Sequence, residues 1–127
     1  MRQKILSIVS ILFALMFVNA GLNKFFNYMP MPENMPEEQL EIMGAFVQIA
    51  WLMPLIAITE IAGGILFAIP RYRPLGAIII LPVVVGIVLH HFIHAPEGLP
   101  IAIALLAVNA WAIAENWKKY LPMIQKP

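Results

Sequence analysis

Four long apolar stretches take up most of this chain, and they dictate the environment in which it can fold. The first runs from Ile5 to about Phe26, and the second from about Trp51 to Ile69. The third runs from Leu75 to about Phe92 and the fourth from about Leu99 to Trp117. Each is close to the ~20 residues a helix needs to cross the hydrocarbon core of a bilayer. A soluble domain of 127 residues, 61% hydrophobic and 12% charged, could not hide so much apolar surface in one core. In a bilayer, lipid solvates the outer face of the bundle. The expected fold is all-α membrane: an antiparallel four-transmembrane-helix bundle forming a single domain over residues 1–127.

The connections fit that bundle. Arg71-Tyr72-Arg73, between Pro70 and Pro74, predicts a tight turn between the second and third helices, and Ala95-Pro96-Glu97-Gly98 predicts the next. Met29-Pro30-Met31-Pro32-Glu33-Asn34-Met35-Pro36 is a proline-punctuated loop without helical pattern. From Pro36 to about Ala50 the sequence reads as an amphipathic segment. Glu37 and Glu38 suit a first turn, and Leu40, Met43, Val47 and Trp51 follow at roughly helical spacing. Such a segment either lies in the interface or runs into the second span with a bend at Pro54. Arg2 and Lys4 before an apolar run, with Val18-Asn19-Ala20 after it, also resemble a secretory signal. The three spans that follow favour an uncleaved first helix.

Charge gives the orientation. Arg2, Lys4, Arg71, Arg73, Lys118, Lys119 and Lys126 fall on one side of a four-span topology, while Glu33, Glu37, Glu38, Glu41 and Glu97 fall on the other. By the positive-inside rule the basic side is cytoplasmic, so both termini are expected there and the chain is expected in the cytoplasmic (inner) membrane. The net charge of +1 and the lack of a basic stripe argue against a nucleic-acid partner. The chain has no cysteine, and hence no disulfide or thiolate chemistry of its own.

Polar side chains within the spans are few, and intramembrane polar groups usually face the bundle interior. Glu60 lies nine residues beyond Trp51, a rise of ~13 Å that puts it near mid-depth. Asn109 lies nine residues beyond Pro100. If the first helix reaches Tyr28, Asn19 is equally deep, and three helices contribute to one polar layer. Lys24 sits above that layer, able to reach up to water or down to Glu60, and Asn23 shares a face with Asn19. His90 and His91 close the outer end of the third helix. The other half of the bundle is apolar beyond Ser7 and Ser10, so a pocket is expected to open away from the basic side. The plainer account is that Asn19 and Asn109 hydrogen-bond between helices, at about 0.6 kcal/mol each, that Gly63 and Gly64 are packing positions, and that Lys24 snorkels. Two metal patterns, His90 and His94 with His91 and Glu97, and Met29, Met31 and Met35, are not specific enough to assign a metal.

Gly21-Leu22-Asn23-Lys24-Phe25, closing the first helix, resembles the glycine-x-x-lysine-phenylalanine signature of DoxX family membrane proteins. Met29-Pro30-Met31-Pro32 is similar to the outer loop of one branch of that family. Thr59-Glu60-Ile61-Ala62-Gly63-Gly64 resembles its second-helix motif, His91 a third-helix histidine, and Asn109 to Pro122 its fourth helix and tail. Gly86 stands where the resemblance would place an asparagine. The resemblance implies a quinone-linked, redox-associated membrane component with a membrane or extracytoplasmic redox partner protein. Under that expectation Glu60 is the proton acceptor and Lys24 tunes it, while Asn19, Asn23, His91 and Asn109 are ligand-binding candidates. A non-enzymatic membrane adaptor, a homo-oligomer among its forms, and a small-solute or proton permease are the alternatives. The permease is weakened by the apolar half of the bundle.

The orientation can be tested directly because the chain has no native cysteine to mask. With Arg71→Cys and Glu33→Cys made singly, a membrane-impermeant thiol reagent added to intact cells is expected to label only Glu33→Cys. Labelling of Arg71→Cys from outside would reverse the topology.

Overall fold

The computed structural model describes residues 2–31 and 33–125. Lys126 of the basic side and Pro32 of the outer loop lie outside the described residues. All regular structure among them is helical: α1 (Arg2–Phe26), α2 (Glu37–Gln48), α3 (Leu52–Ala68), α4 (Arg73–His94), α5 (Leu99–Glu115) and the short α6 (Trp117–Tyr120). Three helices, α1, α4 and α5 with its preceding 3-10 turn, are long and apolar enough to cross a membrane. At 17 residues α3 is slightly shorter, about 25 Å. It packs between α1 and α4 as the fourth member of the bundle. The chain is an integral membrane protein built as an all-helical bundle.

The bend between α2 and α3 is 90°. It falls at Ile49–Trp51, ahead of the Pro54 bend that a segment running into the second span would have had. Pro54 sits in the first turn of α3, where a missing N–H costs nothing because that donor has no partner within the helix. The amphipathic segment is thus a separate helix lying across the end of α3, and none of its residues is buried. Two contacts hold its start to α4. Gln39 Nε2 donates to the His94 carbonyl at 2.8 Å, and Glu38 Oε1 lies 2.9 Å from His94 Nδ1.

Why α1 gives a weak amphipathic signal is clear from its two faces. Leu6, Ser10, Phe13, Ala14, Phe17 and Gly21 recur at helical spacing and are buried, while Ile8, Leu12 and Leu15 on the far side are exposed. Both faces are apolar because one meets protein and the other lipid. The inward face packs onto α3, with Phe13 stacked on Phe67 at 4.4 Å between ring centroids, and Phe17 of α1 tilted against Phe13 at 4.7 Å. Ile80, Val84 and Ala112 complete the core from α4 and α5.

Glycines set how closely the helices approach. A Cβ at Gly76 of α4 would stand 2.5 Å from the Phe67 nitrogen and 2.8 Å from the Gly63 carbonyl oxygen on α3. A Cβ at Gly21 of α1 would stand 2.7 Å from the Ala57 carbonyl oxygen. Close approach through small residues is how membrane helices associate when lipid is as apolar as the side chains. Farther along α4, a Cβ at Gly86 would meet nothing within 4 Å. So α3 and α4 touch backbone to backbone near the basic end, and open space adjoins α4 at its other end.

Gly76→Ala is therefore expected to destabilise the fold by about 1–3 kcal/mol, the usual range for overpacking. Gly86→Ala should leave stability unchanged or slightly raised, since alanine is the better helix former. Thermal unfolding of the two variants in one detergent reads the contrast, and equal midpoints would refute this account of the packing.

Candidate functional site

The space beside Gly86 is a cavity of about 680 Å³ between α1, α3 and α4, with Phe46 of α2 at its edge. Most of its wall is apolar, including Met53, Ile56, Ile79 and Val83. Pro82 also lines it. Lacking an N–H, this proline cannot bond back to the turn before it. The polar contribution comes from Lys24, Thr59, Glu60, His90 and His91. Thr59 is turned onto its own helix, donating to the Leu55 carbonyl at 2.8 Å.

Glu60 is the middle residue of α3 and only 2% exposed. Lys24 lies one turn beyond Gly21 on α1, so the contact of Gly21 with Ala57 brings its stem alongside α3. From there it folds down the bundle, and its Nζ stands 2.6 Å from Glu60 Oε1. The two side chains are 22% and 3% exposed. Either charge alone would be costly in these surroundings, and together they compensate each other. The paired oxygen, Oε1, is shut off from the surface. The cavity wall therefore offers an ammonium with donors to spare, held in place by a buried carboxylate.

The histidines stand near the His94 end of α4. His91 Nδ1 lies 2.8 Å from the Ile87 carbonyl, which it bonds as a donor, and this leaves Nε2 as the other ring nitrogen. The His90 ring centroid is 5.3 Å from that of His91 and 5.6 Å from that of His94. Among the described residues, no group of three or more His, Asp or Glu side chains has the geometry to hold a metal ion.

The single polar layer expected from spacing does not form. Helix α1 ends at Phe26, Asn27 takes the left-handed conformation (φ 50°), and the chain turns back. Tyr28 then reaches Asn19, its hydroxyl donating to the Asn19 side-chain oxygen and, at 2.9 Å, to the Asn19 carbonyl. Asn19 Nδ2 is taken by Met29 Sδ at 3.3 Å. Asn23 Oδ1 accepts from the Met29 N–H at 2.8 Å. Both asparagines thus fasten the loop after α1, and neither lines the cavity. Asn109 is fully buried, but Nδ2 donates to the Ala77 carbonyl at 3.1 Å, one turn into α4 from the basic end. That bond ties α5 to α4, and Asn109 does not line the cavity. Of the six candidate residues, the structure brings Lys24, Glu60 and His91 to one cavity. Equal residue counts from span ends missed this because they give depth and not the side each residue faces: Asn19 is turned to Tyr28 and Met29. Phe46 and Pro82 drew no notice because an aromatic or a proline in an apolar run carries no sign of lining a cavity.

A double-mutant cycle tests the pair. Lys24→Met and Glu60→Gln are each expected to lower thermal stability, by about 1–3 kcal/mol. The double variant should lose less than the sum of the two, because no unpaired charge remains. Strict additivity in detergent unfolding would show that the pair is not coupled.

No curated protein and no solved structure matches the chain. The family model for DoxX matches residues 5–95, from the first span through the end of α4. That stretch contains Lys24, Glu60 and His91, while the similar-looking segment from Asn109 to Pro122 lies beyond it. With most of its length matched, the chain belongs to the DoxX family.

Proposed function

We propose that this DoxX protein is a redox-associated membrane component that receives an amphipathic, quinone-type ligand in the cavity beside Gly86. The observation that carries the reading is the Lys24–Glu60 pair set in the wall of an otherwise apolar space of about 680 Å³. Ligand sites are commonly of this kind, apolar with a few convergent polar groups. An isoprenoid tail suits walls of Ile56, Ile79 and Val83, and a ring carbonyl is an acceptor for the Lys24 ammonium.

A quinone held there would take up two electrons and two protons, the electrons delivered by a membrane or extracytoplasmic partner protein. The chain's own part is positional and protonic. Lys24 fixes a carbonyl oxygen, Glu60 is the proton acceptor when the quinol formed gives its protons up again, and His91 lines the wall near the end of α4. The charge asymmetry supports placing this cavity in the outer half of the inner membrane.

Native mass spectrometry with lipid extraction is the test, run on detergent-purified parent, Glu60→Gln and Gly86→Phe. A quinone retained by the parent is expected to fall at least tenfold in Gly86→Phe, which fills the cavity without touching the ion pair, and to fall in Glu60→Gln as well. Bare protein or ordinary phospholipid alone in all three would refute the reading. It would leave the pair as a device for joining α1 to α3 in a non-enzymatic adaptor.

A further inference from the structure

At the basic end of the bundle the start of α1, the α3–α4 turn and the segment after α5 enclose a second cavity, of about 290 Å³. Its polar lining is Gln3, Arg73, Glu115, Asn116 and Lys119. Tyr120 anchors this corner by donating to the Pro74 carbonyl at 2.7 Å. Burial pushes its phenol above the ordinary range, so it remains a donor at physiological pH.

Two of the lining charges are in opposite situations. Glu115 is paired, with Arg2 Nε at 3.1 Å and the Trp111 indole N–H at 3.3 Å, both on Oε1. Arg73 is 3% exposed, with Nε donating to the Phe67 carbonyl at 2.9 Å and Nη2 to the Ala68 carbonyl at 3.3 Å. A guanidinium has five N–H donors, so among the described residues three are left without a protein acceptor. Neither Arg73 nor Lys119 has a carboxylate within ion-pair distance among the described residues.

The carbonyls at the end of α3 orient Arg73 but bring no net negative charge. A buried cation with spare donors, facing a polar hollow, calls for an oxyanion to complete it. Arginine matches the paired oxygens of a phosphate in particular. The position selects the source. The cavity lies where the spanning helices end, at the level of the headgroups, and basic hollows between membrane helices at that depth suit anionic lipid.

We propose that this cavity binds the phosphate of an anionic phospholipid. Arg73 grips the phosphate oxygens from the protein side, and Lys119, Gln3 and Asn116 close around the headgroup. The purified full chain in neutral detergent, offered equal phosphatidylglycerol and phosphatidylcholine with the same acyl chains, is expected to retain the anionic lipid in several-fold excess by native mass spectrometry. Lys119→Ala should cut that retention about fivefold, as expected for one lysine near a headgroup. Lys118→Ala removes the same charge next door but outside the cavity lining, and should leave retention unchanged. Equal loss in the two variants would mean diffuse attraction and no site. Equal retention of both lipids by the parent would also overturn the proposal. So would displacement of the lipid by millimolar glycerol 3-phosphate, which would point to a soluble phosphate ester.

Discussion

At Gly76 the backbones of α3 and α4 come so near that a single methyl group would collide with the Phe67 nitrogen. Much of the rest of the structure follows from that contact. Membrane helices gain no hydrophobic energy by leaving lipid for one another, so they are held by close packing, and small residues decide where. In this bundle the tightest α3–α4 contact falls toward the basic end, at Gly76 and Gly63. The stacked Phe13 and Phe67 fill the space beside it. Farther along α4, a Cβ at Gly86 would meet nothing within 4 Å, and a cavity lies beside it.

The buried polar groups divide along the same line. Toward the basic end, Asn109 and Arg73 are spent largely on backbone carbonyls, one joining α5 to α4 and the other closing the end of α3. In the open half, Lys24 and Glu60 answer each other across α1 and α3. An apolar environment makes an unmatched polar group expensive in both places. At both ends a cation keeps donors beyond those its protein partners take up, Arg73 beside the smaller cavity and Lys24 beside the larger.

Helix α2 belongs to the open half. It turns 90° from α3, buries no residue of its own, and is tied to the end of α4 through Glu38, Gln39 and His94. Its apolar residues Leu40, Met43, Phe46 and Val47 are exposed, as suits a helix in the membrane interface. Phe46 nonetheless reaches the cavity edge. The cavity is thus bordered by a helix that has little packing of its own to hold it in place.

The sequence by itself determined the class of fold. Long apolar runs exclude a soluble core, prolines and short polar segments mark the turns, and Glu60 stands out because a carboxylate in an apolar run has few reasons to be there. Recurrent short motifs around Lys24, Glu60 and His91 were also legible, since they are local in the chain. Which polar residues meet was decided only by tertiary structure. Asn19, at a depth that matched Glu60 by counting, is turned to Tyr28 because α1 ends early at Asn27. Asn109 is turned to the Ala77 carbonyl of α4. Arg73, which reads as one more surface cation, is buried because the α3–α4 turn is so tight that its side chain folds onto the end of α3. Spacing along one helix fixes depth only relative to that helix. Register between helices is set by glycine contacts, and a glycine gives no sign in the sequence of which backbone it will let approach.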